Sequence, residues 1–190
     1  MSRPVDMVPV QLTCADEKAG RKQMREMLGK NWWRNRGKAV WAGFAAEHAL
    51  VRAWDCDLPG LRLSPVLTHD LELDRDPLPP ITVEVKTRAV GRGWTDPSRF
   101  EWVVIPSHDG REPIKDVDLV WFCWYSCDEP RRLWVLGYVR GREEFRRRST
   151  YYKEGEPLPR GGWAGKGGAY AIEVKQLRPF PRRTFKEADK

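Results

Sequence analysis

A chain of 190 residues with 41% hydrophobic and 11% aromatic side chains, ten tryptophans among them, can bury a substantial core and is too apolar for a disordered tail. A formal net charge of +7 and a pI near 9.4 favour solubility and non-specific attraction to polyanions. No run approaches the roughly 18 apolar residues of a membrane span, which excludes a helical membrane protein.

Residues 1–10 lack the basic start and long apolar core of a secretory signal, so a soluble, cytoplasmic protein is expected. No internal repeat, heptad pattern or dividing linker is visible, and 1–190 reads as one domain. Residues 1–34 form an N-terminal helical extension and 151–190 a loop-rich C-terminal segment. Thr13 or Asp16 can cap a first helix running to about Gly29. The following stretch, 31–38, interleaves Trp32 and Trp33 with Arg34, Arg36 and Lys38, a pattern suited either to nucleic acid or to helix packing. A second helix over 38–55 aligns Val40, Phe44, Ala45, Leu50, Val51 and Trp54 on a broad apolar face, with Glu47 at its edge. Asp57-Leu58-Pro59-Gly60 ends it, and 61–67 reads as a strand.

The most informative stretch comes next. Residues 69–74 and 81–88 alternate in character and are joined by the turn-rich segment 75–80, which predicts a β-hairpin. Leu71, Leu73, Val83 and Val85 fall on one face; Asp70, Glu72 and Asp74 on the other, with Glu84 and Lys86. Closure with the apolar faces inward gathers Asp70, Glu84 and Lys86 on one surface. Two carboxylates suit a Mg²⁺ ion that keeps its other positions for water and phosphate oxygens. Such an ion polarises a phosphodiester and activates water, while an ammonium orients that water or offsets the developing charge.

Asp70, a hairpin-sized gap, then Glu84-Val85-Lys86 resembles the signature of the PD-(D/E)XK nuclease superfamily, and the helix bearing Glu47 stands where members place a further acid. The resemblance covers roughly 36–140. It implies a restriction-endonuclease-like α/β fold, a central mixed β-sheet flanked by helices. It also implies that Asp70 and Glu84 are metal ligands, Lys86 the catalytic lysine and Glu47 an accessory metal-site acid, with Mg²⁺ or Mn²⁺ as cofactor. Ile172-Glu173-Val174-Lys175 repeats the Glu-x-Lys spacing, but no Asp-bearing strand precedes it, and it reads as a solvated strand face.

Past the hairpin, 91–97 is a basic, glycine-containing loop and 100–106 a strand or short buried segment. No amphipathic helix is visible between Arg88 and Lys115, a departure from the usual order of that superfamily. The apolar run 117–126 predicts a central strand covered on both faces, with 131–139 its antiparallel neighbour. Residues 141–148 read as a short helix whose Arg146, Arg147 and Arg148 either contact phosphate or face solvent. Residues 151–166 read as a long loop carrying Tyr151, Tyr152 and Trp163, which can stack on unpaired bases. A last strand over 169–174, a helical turn at 176–178 and a mobile charged end from 182 complete the chain. Cys14, Cys56, Cys123 and Cys127 lack paired metal-site spacing and read as free thiols; His48, His69 and His108 suggest no zinc site. No Gly-x-Ser-x-Gly elbow or phosphate-binding Gly-x₄-Gly-Lys loop is present.

The expected function is a Mg-dependent deoxyribonuclease hydrolysing DNA phosphodiester bonds, suited to recombination, repair, or phage or mobile-element DNA processing. The alternative is a non-catalytic nucleic-acid-binding protein that keeps the nuclease fold. DNA is the expected partner, with its form unresolved, no membrane partner is expected, and the oligomeric state is left open, a homodimer included.

Overall fold

The computed structural model describes residues 7–36, 39–54, 58–66, 68–90, 101–107, 111–126, 131–159 and 161–180, and for 27–36, 39–41 and 89–90 the backbone alone. The elements in chain order are β1 (Val8–Gln11), α1 (Cys14–Arg36), α2 (Ala39–Trp54), β2 (Leu61–Leu63), β3 (Leu71–Arg75), β4 (Leu78–Val90), β5 (Trp102–Pro106), β6 (Leu119–Ser126), β7 (Arg132–Arg140), α3 (Gly141–Arg148), β8 (Ser149–Tyr152) and β9 (Ala169–Glu173), followed by a 3-10 turn, Val174–Gln176. Six strands make one mixed sheet in the order β1-β7-β6-β4-β3-β2, and β5-β9-β8 make a second. Only β4 and β6 run parallel in the larger sheet. The protein is therefore α/β, with a large mixed sheet and a few helices.

The apolar run at β6 explains where the core sits. Trp121, Cys123 and Tyr125 face one side and pack with α2 through Ala45, Ala46, Ala49 and Leu50; Val120, Phe122 and Trp124 face the other and pack with the second sheet and Phe145 of α3. A strand buried on both faces needs no polar alternation, hence the unbroken run. At full burial the valine, leucine and phenylalanine side chains among these each contribute about 1.5–3 kcal/mol.

The helical side is held by local chemistry as well as packing. Thr13 caps α1: its Oγ1 accepts from the Asp16 N–H at 3.2 Å, and Asp16 Oδ2 accepts from the Thr13 N–H at 2.8 Å, a reciprocal capping box. Arg52 of α2 donates to both oxygens of Asp16, at 3.1 and 2.8 Å, and so ties the start of α1 to the end of α2. Gly20 permits the close crossing, because a Cβ there would meet Ala45 N at 2.5 Å and Phe44 C at 2.9 Å.

Three expectations are corrected. The first helix does not stop near Gly29 but continues to Arg36; a glycine costs a helix only about 1 kcal/mol, and nothing before Arg36 forces a stop. Residues 1–34 are more than a helical extension, since β1 pairs with β7 at the sheet edge and buries Val10. Pro9 is tolerated there because an edge strand has one side without a ladder. Residues 151–166 are not wholly a loop: β8 takes Tyr151 and Tyr152 into the second sheet, and Pro157 bridges to Trp163.

The remaining elements follow the sequence reading closely. The second helix, the strand pair β6–β7 and α3 stand where periodicity and turns put them, and so does the hairpin, except that its strands take in most of the expected turn 75–80 and leave only Asp76 and Pro77 between them; β2 is only three residues long. Between β4 and β6 the described residues form no helix; β5 is built instead and joins the second sheet. Gly137, at φ +148°, lets the chain at Leu177 and Arg178 lie against β7, where Tyr138 and Arg178 exchange backbone hydrogen bonds of 3.0 and 2.9 Å. Phe180 then packs among Trp54, Trp121 and Tyr138. No helix among the described residues is long and apolar enough to cross a membrane. Cys14 and Cys123 are free thiols, and burial pushes the Cys123 thiol far up, leaving it inert. The segment 31–38, the loop 91–97, Cys56, Cys127, His108 and the end beyond 180 fall outside the residues whose side chains are described.

Candidate active site

The hairpin register positions the acids. Leu71 pairs with Val83 and Leu73 with Ile81; just before β3 the Asp70 N–H donates to the Val83 carbonyl at 2.9 Å, which holds Asp70 against β4 next to Glu84. Leu71, Val83 and Val85 enter the helix-side core and leave Glu84 and Lys86 on the reverse face. Pro79 and Pro80 fit in β4 because its parallel pairing to β6 begins only at Val83.

The resulting corner is dense in hydrogen bonds. Asp70 Oδ2 accepts from the Val85 N–H at 2.7 Å, while its Oδ1 meets Lys115 Nζ at 3.0 Å. Glu84, only 1% exposed, has Oε1 at 2.6 Å from Lys86 Nζ and Oε2 accepting from the Lys115 N–H at 2.8 Å. The structure thus brings Asp70, Glu84 and Lys86 together, with Lys115 linking the two acids.

Glu47 joins from α2. Its carboxyl is buried, lies close enough to Asp70 and Lys115 to feel both charges, and has Gln23 Nε2 of α1 at 3.5 Å. Burial first, and then the charge of Asp70, push its pKa well above the usual carboxylate range; Lys115 and Gln23 oppose them without prevailing.

Comparison with known protein families, with characterised proteins and with solved structures finds no match to this chain.

Whether the residues suit a divalent cation turns on their donor atoms. Among the described residues no three His, Cys, Asp or Glu side chains form a ready-made cage. A cage is not what Mg²⁺ requires, because it keeps several waters and is commonly held by one or two carboxylates. The donors here are hard oxygens. Each Asp70 and Glu84 oxygen has one donor named above and keeps a further lone pair, and the two ammonium groups are partly exposed, Lys86 at 24% and Lys115 at 39%, so both can swing out. The donor set fits.

Two residues of the corner, Lys115 and Gln23, escaped the sequence reading. Lys115 lies between buried Ile114 and Val117, in a segment without periodicity. Only the crossover that makes β6 parallel to β4 brings it to Glu84. Asp118 fixes that approach: its Oδ2 accepts from the N–H and hydroxyl of Thr82, each at 2.8 Å, and its own N–H donates to Thr82 Oγ1 at 3.0 Å. Gln23 reaches Glu47 because Gly20, one turn earlier, lets α1 approach α2 closely.

Other singled-out residues sit elsewhere. His69 is committed to Glu72, with Nε2 at 2.8 Å from Oε1, and its Nδ1 lies 3.0 Å from Thr68 Oγ1. That contact first, and Arg62 after it, lower the Glu72 pKa against the opposing effect of burial. Glu173 and Lys175 form a surface pair at 2.8 Å, and Lys175 is on the 3-10 turn rather than on a strand face as expected. The arginines of α3 are engaged within the chain: Arg146 with Glu112 at 2.6 Å, Arg148 and Arg147 with Glu144 at 2.6 and 3.6 Å. Trp163, 70% exposed, presents its ring to solvent.

Proposed function

We propose that the protein is a metal-dependent deoxyribonuclease of PD-(D/E)XK type, with a restriction-endonuclease-like arrangement of helix, hairpin and parallel strand. The observation that carries this reading is that Lys115 links the carboxylates of Asp70 and Glu84, with Lys86 on Glu84 and the buried Glu47 of α2 close enough to Asp70 to feel its charge. Asp70 and Glu84 would hold Mg²⁺ or Mn²⁺, with Glu47 as the accessory acid. When bound, the ion supplies Lewis-acid polarisation of the phosphodiester and a more acidic water.

The chain's own groups supply the rest. The Val85 N–H fixes one oxygen of Asp70 and the Lys115 N–H fixes one of Glu84, so both carboxylates are aimed before any ligand arrives. Lys86, once clear of Glu84, presents an ammonium that orients the attacking water and offsets the charge growing on the scissile phosphate. Glu47, carrying a proton more readily than an ordinary glutamate, limits the negative charge when the corner is empty. The positive excess of the whole chain favours association with the DNA backbone. Recombination, repair, and phage or mobile-element DNA processing are settings such an enzyme suits.

The test is to incubate the protein with single-stranded, duplex and branched DNA in Mg²⁺, Mn²⁺ or chelator. Cleavage that needs the metal is the expected result. DNA binding that persists with no cleavage under any metal would overturn it in favour of a non-catalytic binding protein that uses its basic surface alone.

A further inference from the structure

The proposed reaction uses the backbone N–H of Lys115 but gives its side chain no role. Its backbone is pinned, since Ile114 and Val117 on either side are buried in the second core and its N–H donates to Glu84 Oε2 at 2.8 Å. Its side chain is 39% exposed, and the ammonium at the end of that flexible stem rests 3.0 Å from Asp70 Oδ1. One residue therefore grips Glu84 through an immovable group and Asp70 through a movable one.

We infer that the Lys115 ammonium is a built-in stand-in for the divalent cation: it neutralises Asp70 while the corner is empty and must leave when the metal arrives. This rests on the nuclease reading for the identity of the metal site. The chemistry is competition for one carboxylate oxygen. A monovalent ammonium on Asp70 keeps two acids and buried Glu47 from facing one another uncompensated, and it makes metal binding weaker than an open pair of acids would give. Once displaced, the ammonium remains within a stem's length of the site, where the phosphate of an incoming strand would be its next partner. Lys86 differs in placement, being on β4 itself and paired with Glu84 rather than Asp70.

The experiment measures Mn²⁺ affinity by titration calorimetry in wild type, Lys115→Met and Lys115→Arg, without DNA. Lys115→Met is expected to bind Mn²⁺ at least tenfold more tightly, and Lys115→Arg to stay near wild type, because the charge is kept. Without metal, Lys115→Met should melt at a lower temperature than wild type, and millimolar Mn²⁺ should recover the difference; a merely structural lysine would leave that loss in place. If Lys115→Met does not fold without metal, Lys115→Gln, neutral but still able to donate to Asp70, replaces it with the same expected tightening. Unchanged or weaker Mn²⁺ affinity in the neutral variants overturns the inference, as does a failure of those variants to take up Mn²⁺ at about 10 mM, roughly tenfold above the millimolar dissociation constants of weak carboxylate sites. The two readings fail separately. Tightened Mn²⁺ binding without DNA cleavage removes the nuclease and keeps the role of Lys115; metal-dependent cleavage with unaltered affinity does the reverse.

Discussion

At the scale of single residues, the site divides into groups that act and groups that hold them. Glu84→Gln removes a charge from a buried position already served by two donors, and Lys86→Ala removes the ammonium beside it. Each is expected to lower metal-dependent cleavage on the order of 10²-fold or more while leaving the fold intact by circular dichroism. Glu173→Ala and Lys175→Ala, an exposed pair with the same spacing, should change cleavage by less than about twofold. Equal loss in both pairs would mean that the wrong Glu-x-Lys had been chosen. What separates them was legible in the sequence, because an acid on a preceding strand exists only for Glu84. The role of Lys115 was not legible, since it depends on a contact between residues 31 positions apart with no pattern to announce it.

Glu144 gives a second residue-scale outcome. Burial works to raise its pKa, but the Arg178 side chain, the Arg140 N–H and the charge of Arg148 hold it down to about 2, against an ordinary 4.5. A depressed carboxylate contributes stability that is fully present above the unfolded value near 4.5 and is lost as pH falls towards 2. Glu144→Gln should therefore be less stable than wild type at neutral pH and converge with it below about pH 2, as followed by urea unfolding across pH.

At the scale of elements, the α1–α2 crossing is what places Gln23 against Glu47. Gly20→Val would drive a side chain into the backbone of Ala45 and Phe44, which rigid helices cannot yield cheaply. A loss of about 1–3 kcal/mol in denaturant unfolding is expected, and a gain or no change would show that the crossing is looser than described. The second helix, the hairpin and β6 were readable because each carries a strong period or an unbroken apolar run. The first helix was misjudged at Gly29, where a local breaker is outweighed by the helix around it. β1 was missed because four residues with a proline look like coil until β7 supplies the ladder. β8 was missed for a similar reason: Tyr151 and Tyr152 sit beside a glycine- and proline-rich stretch, and only pairing with β9 makes them a strand.

At the scale of the whole molecule, the chain carries a formal net charge of +7. DNA affinity should fall steeply as salt rises, in the manner of counterion release, and the fall should be the same for Glu84→Gln, because phosphate attraction belongs to the surface and not to the site. Trp163 offers a test of substrate form. Trp163→Ala should weaken binding to single-stranded or branched DNA by about 1–3 kcal/mol, with duplex affinity little changed, if its ring stacks on unpaired bases. Equal loss on all substrates would leave stacking without support. The order of the sheet could not be read in advance, because it turns on a crossover through β5 where a helix was the more familiar connection.

The most direct measurement is anomalous diffraction from a crystal soaked in Mn²⁺. A peak between the carboxylates of Asp70 and Glu84, with Lys115 drawn away from Asp70, is the predicted result. A corner that stays metal-free at millimolar Mn²⁺, with both lysines still on their acids, would contradict the account.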